Sequence, residues 1–174
     1  AADQDTIIVT ATRRAERLID VPLSIQAVSG DQLERLGAVN FSDYARTLAG
    51  VSFIDSGAGR SQIFIRGVTT GADVGQGAEA TVGIYLDETP ISEGSSQPDL
   101  KLFDIDRVEV LRGPQGTLYG SGSLGGTIRV MPRLPEFDAV SGALQLTGSG
   151  TKNGGGNGEV NGWLNLPLSE KAAL

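Results

Sequence analysis

The stretch Phe103–Met131, FDIDRVEVLRGPQGTLYGSGSLGGTIRVM, decides how the chain folds. Val108 and Val110 alternate with charged neighbours, so Arg107–Arg112 reads as a strand that Gly113-Pro114 stops. Six glycines, at positions 113, 116, 120, 122, 125 and 126, then fall within fourteen residues. That density predicts backbone with positive φ or packing too close for a side chain. Thr127–Met131 is again β-branched and apolar, a second strand. Gly120–Gly125 also fits the dinucleotide pattern G-x-G-x-x-G. That pattern binds a pyrophosphate only where a helix opens on the turn, and here a strand candidate follows. The turn therefore reads as structural.

Composition narrows the chemistry around this stretch. The 174 residues suffice for one domain with a core. No apolar run approaches the ~18 residues of a membrane helix. No basic segment followed by an apolar one marks a signal peptide, and Ala1-Ala2-Asp3 is compatible with an end left by cleavage. Cysteine and histidine are both absent, which removes disulfides, thiolate metal sites, Cys nucleophiles and Ser-His-Asp catalysis. No metal or cofactor is expected. A net charge of −7 argues against nucleic acid as a partner. The carboxylates cluster at Asp87/Glu88 and at Asp104/Asp106/Glu109, but nothing sets two of them across a cleft as glycoside hydrolysis requires. Solvated or ion-paired carboxylates are the better reading, and no enzyme activity is expected.

At the N-terminus, Asp5-Thr6-Ile7-Ile8-Val9-Thr10-Ala11 is β-prone and is followed at once by Arg13, Arg14, Glu16 and Arg17. It is either an edge strand or an extended end suited to strand addition. Val21–Val28 alternates after Pro22 as a half-buried strand does. Ser29 with Gln32 predicts a capping box opening a helix that carries Leu33 and Leu36 on one face and ends at Gly37. Asn40 caps a second helix, with Phe41, Tyr44, Ala45 and Leu48 as its apolar stripe. Strands are expected at Val51–Ile54, Gln62–Val68 and Thr81–Asp87, the last with Val82, Ile84 and Leu86 on one face. Asp55–Ser61, Thr69–Ala80 and Ser92–Gln97 are polar connecting loops, the long middle one expected to be mobile, and Pro98–Phe103 reads as a short helix.

The pattern changes after Pro132 and Pro135. Val140, Gly142, Leu144 and Leu146 alternate with Ser141, Ala143, Gln145 and Thr147. Beyond a turn at Thr151–Gly158, Val160, Gly162, Leu164, Leu166 and Leu168 alternate with Glu159, Asn161, Trp163 and Asn165. Trp163 interrupts the polar face. Two such segments of about ten residues suit the wall of a transmembrane barrel, although a soluble hairpin allows the same pattern. Two strands alone cannot span lipid, because their edges would be unpaired.

Three motifs then carry a resemblance. Asp106–Pro114 (DRVEVLRGP) with Leu118-Tyr119-Gly120 and Gly125–Ile128, the Ile65-Arg66-Gly67 strand end, and the N-terminal box stand in the order found in TonB-dependent outer-membrane receptors. The resemblance runs from Asp5 to about Arg133. It implies an α+β fold: a TonB-box segment over residues 1–17, then a small mixed-sheet plug domain with short flanking helices over 18–135. The first antiparallel strands of a transmembrane β-barrel would occupy 136–174. It further implies import of a scarce ligand such as a ferric siderophore or another metal chelate, driven through TonB, with the barrel against outer-membrane lipid and the N-terminus periplasmic. Carried onto this chain, Asp5, Thr6, Ile7, Ile8, Val9, Thr10 and Ala11 would bind TonB. Arg66 and Arg112, with Glu109 of the signature strand, would lock plug to barrel. Ser56, Gly57, Arg60 and Ser61, then Thr70, Asp73 and Gln76, then Ser95 and Gln97 would face the ligand. The other reading is a secreted or periplasmic β-rich binding domain with no transport role.

Overall fold

A computed structural model describes residues 7–38, 40–55, 61–68, 80–92, 100–152 and 154–174. They divide into two compact units, Ala1–Pro132 and Arg133–Leu174.

In the first unit β1 (Ile8–Val9) pairs antiparallel with β2 (Glu16–Arg17). β3 is Ile25–Ser29, shorter than the alternation from Val21 predicts. A 3₁₀ turn at Leu18–Asp20 precedes it, and ladder pairing with the next strand of the sheet begins only at Ile25. The capping box is present: Gln32 N donates to Ser29 Oγ and Ser29 N to Gln32 Oε1, each at 3.3 Å. It opens α1 (Gly30–Arg35). A Cβ on Gly30 would lie 2.0 Å from the Ile105 carbonyl oxygen, so only glycine lets the helix start this close to the sheet. Leu33 is buried but Leu36 is exposed, because the helix has ended by that position. Then come α2 (Phe41–Ala45), β4 (Val51–Asp55) and β5 (Ser61–Ile65), the two strands forming their own antiparallel pair. The expected loop Asp55–Ser61 thus gives both its end residues to strands.

β6 (Val82–Leu86) and β7 (Thr89–Pro90) follow. Residues 100–104 are not helical, against the expectation for Pro98–Phe103, and lead directly into β8 (Ile105–Arg112). One helical turn, α3 (Gly116–Tyr119), closes when Gly120 N donates to Gly116 O at 2.9 Å. β9 is Gly126–Pro132. No helix opens on the glycine turn, which runs straight into β9. A Cβ at Gly126, φ +153°, would meet the Leu111 carbonyl oxygen at 2.3 Å and Ile65 Cδ1 at 2.7 Å. This is the close packing that the glycine density predicts.

The strands order as β3-β8-β9-β6-β7, antiparallel except for β6 beside β9, so the sheet is mixed. One of its faces is apolar. Val28, Val82, Ile84, Val108, Val110, Ile128 and Val130 pack with Leu33, Phe41, Tyr44, Ala45, Leu48, Ile63 and Ile65. Phe41 meets Tyr44 edge-on, with ring centroids 5.1 Å apart. Tyr85 and Leu111 are buried on the other face, so the central strands are covered on both sides. β6 follows suit: Tyr85 is buried and Leu86 exposed, which blurs the one-face alternation expected there.

The second unit is an antiparallel hairpin of β10 (Ser141–Gly150) and β11 (Gly156–Asn165), followed by the small pair β12 (Pro167–Ser169) and β13 (Ala172–Ala173). Pairing runs to Gly150↔Gly156, so the connection is tighter than Thr151–Gly158. Register sets Leu144 opposite Gly162 and Leu146 opposite Val160, which puts the apolar residues on one exposed face. On the other face Trp163 lies under the Arg133 guanidinium, 5.2 Å from its ring centroid. The Asn165 amide donates to the carbonyls of Glu136 and Ala139 and accepts from Glu136 N, fastening the lead-in to the hairpin.

Candidate functional site

The sheet face opposite the helices is built around charge. Glu109 on β8 and Arg129 on β9 are directly opposed, and Tyr85 on β6 is opposed to Arg129. Neither Glu109 nor Arg129 has any exposed surface. Arg129 Nη1 donates to Glu109 Oε2 at 3.0 Å and Arg129 Nη2 to Glu88 Oε1 at 2.6 Å. Arg107 Nε donates to Glu109 Oε1 at 2.8 Å, and its Nη1 pairs with Asp106. Charges this deep persist because each has a partner. Removing one member of a buried pair costs ~3–5 kcal/mol.

The N-terminal segment lies on this cluster. Thr10 N donates to Glu109 Oε1 at 2.9 Å, while Thr10 Oγ1 accepts from Arg129 Nη1 at 2.8 Å and Arg107 Nη2 at 3.3 Å. Tyr119 OH donates to the Ala11 carbonyl at 2.7 Å. Val9 and Ala11 are fully buried, whereas Ile8 is 46% exposed. Beyond the segment the chain turns at Arg13, φ +60°. The Arg13 guanidinium donates to Glu88 Oε2 at 3.0 Å and Leu118 O at 3.1 Å, and lies 5.5 Å from the Tyr119 ring centroid. Burial holds the Tyr119 phenol above its ordinary pKa; Arg129 works against this, and Glu109 and Glu88 with it.

A second group lies at the strand ends. Arg66, φ +56°, follows β5, and its Nη2 donates to Ser24 Oγ at 2.9 Å. Arg112 ends β8 and donates to the Gln26 side-chain oxygen. Among the described residues no carboxylate meets either guanidinium, and Arg112 Nε is buried without a partner. Desolvation, and then the charge of Arg66, push the Arg112 pKa down. Two like charges are therefore held near one another with no counter-ion among the described residues.

The structure thus sorts the residues singled out from sequence. Thr10 joins the charged cluster, Ala11 packs with Tyr85, Leu111 and Tyr119, and Ile7, Ile8 and Val9 pair with the segment of β2, while Asp5 and Thr6 lie outside the described residues. Glu109 stands on the opposite side of β8 from Arg112 and is fully engaged by Arg107, Arg129 and Thr10, so it is not brought together with Arg66 and Arg112. Its odd position in the strand faces the charged side, and the even positions 108, 110 and 112 face away. Ser61 begins β5. Ser56, Gly57, Arg60, Thr70, Asp73, Gln76, Ser95 and Gln97 lie outside the described residues. Sequence reading missed Arg13, Tyr119 and Arg129 as site residues. Only Arg129 carried a signal, as a lone charge inside the otherwise apolar strand Thr127–Met131.

Comparison with known proteins agrees with this architecture. The family profile described as "TonB-dependent Receptor Plug Domain" matches residues 17–127. The pesticin receptor of Yersinia pestis is 34% identical over 136 residues, covering 77% of this chain and 20% of the receptor. The vitamin B12 transporter BtuB of Photobacterium profundum is 27% identical over 194 residues, covering 99% of this chain and 29% of the transporter. The crystal structure of the ferric yersiniabactin uptake receptor FyuA from Yersinia pestis superposes with a TM-score of 0.61 at 32% identity, over 70% of this chain and 18% of that one. The chain spans about a fifth to under a third of the length of these relatives. With the signature strands β8 and β9, the Ile65-Arg66-Gly67 strand end and the mixed sheet in place, the chain belongs to the TonB-dependent receptor plug-domain family.

Proposed function

We propose that this chain is the N-terminal part of an outer-membrane active transporter, with residues 5–11 as its TonB box. The observation that carries the proposal is the N-terminal strand itself. It is β-prone, sits on the charged face and its small apolar cluster rather than in the core under the helices, and can leave without uncovering the helices' packing. Ligand taken at the outer face frees the box, and TonB pairs with it as an added strand and pulls, using the inner-membrane proton gradient. Arg66 and Arg112 tie the plug to carboxylates of the barrel wall, a reading supported by the absence of a carboxylate on either guanidinium among the described residues. Residues 55–61, 69–80 and 92–97 face the ligand. The exposed apolar face of β10 and β11 meets lipid, as outward positions of a barrel strand do. The relatives are named for ferric yersiniabactin and vitamin B12, so ferric siderophores and cobalamins are the first ligand classes to test. Family membership favours this reading over a free-standing β-rich binding domain.

The test uses the full-length receptor in cells. Proline at Ile8 removes a backbone donor and fixes φ. Ile8→Pro should abolish energised uptake of a labelled ferric chelate or cobalamin and leave equilibrium binding near wild type. Ile8→Val, which keeps the backbone, should do far less. Normal uptake by Ile8→Pro would remove the box assignment. Joint loss of binding and uptake would point to misfolding.

A further inference from the structure

The pairing of β1 with β2 fixes which backbone groups of the box are free for a partner. Leu18 N donates to Ile7 O at 2.8 Å, and the register is Ile8↔Arg17 and Val9↔Glu16. Antiparallel strands alternate, so Ile7 and Val9 direct their N–H and C=O groups at β2, while Ile8 directs both of its groups and Thr10 its N–H away, the Thr10 carbonyl being taken by Arg13 N at 2.9 Å. The second set is the edge on which another strand can add. Thr10 confirms the parity, because its N–H points away from β2 and ends on Glu109 Oε1. The Glu109 carboxylate therefore stands where the carbonyl of an added strand would stand.

We infer that Thr10 N–H is a shared donor: Glu109 holds it while the segment is docked, and a carbonyl on the edge of a partner's strand takes it when the segment is engaged. This rests on reading residues 5–11 as the TonB box. The two states exclude each other at one hydrogen bond, so the Glu109–Arg129 cluster masks the box as well as anchoring it. An approaching strand finds Ile8 accessible but cannot extend its ladder to Thr10 until the carboxylate lets go. The Thr10 hydroxyl reinforces docking alone, since Arg129 and Arg107 donate to it and strand addition has no use for it.

Side chain and backbone at Thr10 can thus be separated. Thr10→Val keeps the N–H and loses the hydroxyl, and Thr10→Pro loses the N–H. Each is made in the full-length receptor carrying Ala11→Cys, whose position is fully buried when docked. Two quantities are read: the rate of labelling by a membrane-impermeant thiol reagent, and binding of the purified periplasmic domain of TonB. Thr10→Val should label several-fold faster and bind tighter by the same factor, because affinity scales with the competent fraction. Thr10→Pro should also label faster yet bind at least about tenfold more weakly, equivalent to ~1.4 kcal/mol. Faster labelling with wild-type binding in Thr10→Pro overturns the shared donor while leaving the box assignment intact. Wild-type labelling in Thr10→Val overturns the masking role of the cluster. Unchanged TonB-domain binding on deletion of residues 5–11 overturns the box reading itself.

Discussion

The two faces of the five-stranded sheet are covered by different means. On one, Val108, Val110, Ile128 and Val130 meet helices and β5 through apolar contact. On the other, Arg107, Glu109 and Arg129 meet an extended segment through hydrogen bonds and ion pairs, beside a small apolar cluster of Ala11, Tyr85, Leu111 and Tyr119. Apolar surface is costly to expose, by roughly 25 cal/mol per Å², and binds without direction. A charged face can take water in place of its cover, and it holds that cover only in the geometry that satisfies its donors. On the reading proposed for residues 5–11, the apolar face stays closed while the charged face opens and recloses in one register.

Substitutions at the two faces should separate these properties. The largest effect is expected from Arg129→Ala, which removes the fully buried partner of Glu109 and leaves it only the partly exposed Arg107, and should cost ~3–5 kcal/mol. Hydrogen exchange on the full receptor should show lost protection both in residues 7–11 and in β8 and β9. Protection lost in residues 7–11 alone would mean that the cluster serves docking and not the sheet. Next comes Leu33→Ala on the apolar face, at ~2–5 kcal/mol. Chemical denaturation should register it, but thiol labelling of Ala11→Cys should not change. Faster labelling there would show that the faces are coupled through the sheet.

Smaller still is Tyr119→Phe, which deletes one hydrogen bond to the Ala11 carbonyl and should loosen docking by ~0.5–1.5 kcal/mol. The same phenol makes docking sensitive to alkali. Its pKa is raised in the folded state, so its contribution is fully present below the ordinary value near ~10 and is lost as pH rises through the raised one. Labelling of Ala11→Cys, corrected for the reagent's own pH dependence, should accelerate across that range in wild type. A Tyr119→Phe receptor that accelerates equally would assign the effect to another group.

Much of the apolar face was legible in sequence, because local rules govern it. Ser29 and Gln32 announced the cap of α1, and Phe41, Tyr44 and Ala45 announced the buried stripe of α2. The Leu-Arg-Gly-Pro signature placed the end of β8. The charged face was legible only in pieces. Glu109 stood out and Arg129 was passed over, because their pairing depends on the register across a glycine-rich connection whose conformation no periodicity specifies. Arg13 and Tyr119 gave no signal, since each acts on residues distant in the chain. Residues 100–104 misled because helix-forming side chains there are drawn into the approach to β8, where Leu100 and Leu102 pack on the core.

The reach of those contacts along the chain also sets an order of assembly. The bonds holding Thr10 and Ala11 join residues 99, 108 and 119 positions apart. Closing such long loops must precede any reward from the contact, so they form late. The β8–β9 pairing closes over a short connection and needs nothing from the N-terminus. Synthesis runs the other way, so residues made before the sheet are the last to settle. Until Arg129 exists and β9 has paired, residues 7–11 stay open to solvent, to proteases and to any strand that meets them. In refolding from denaturant, we expect amides of β8 and β9 to gain protection before the thiol of Ala11→Cys does. The reverse order would mean that the segment helps to template the sheet that later holds it.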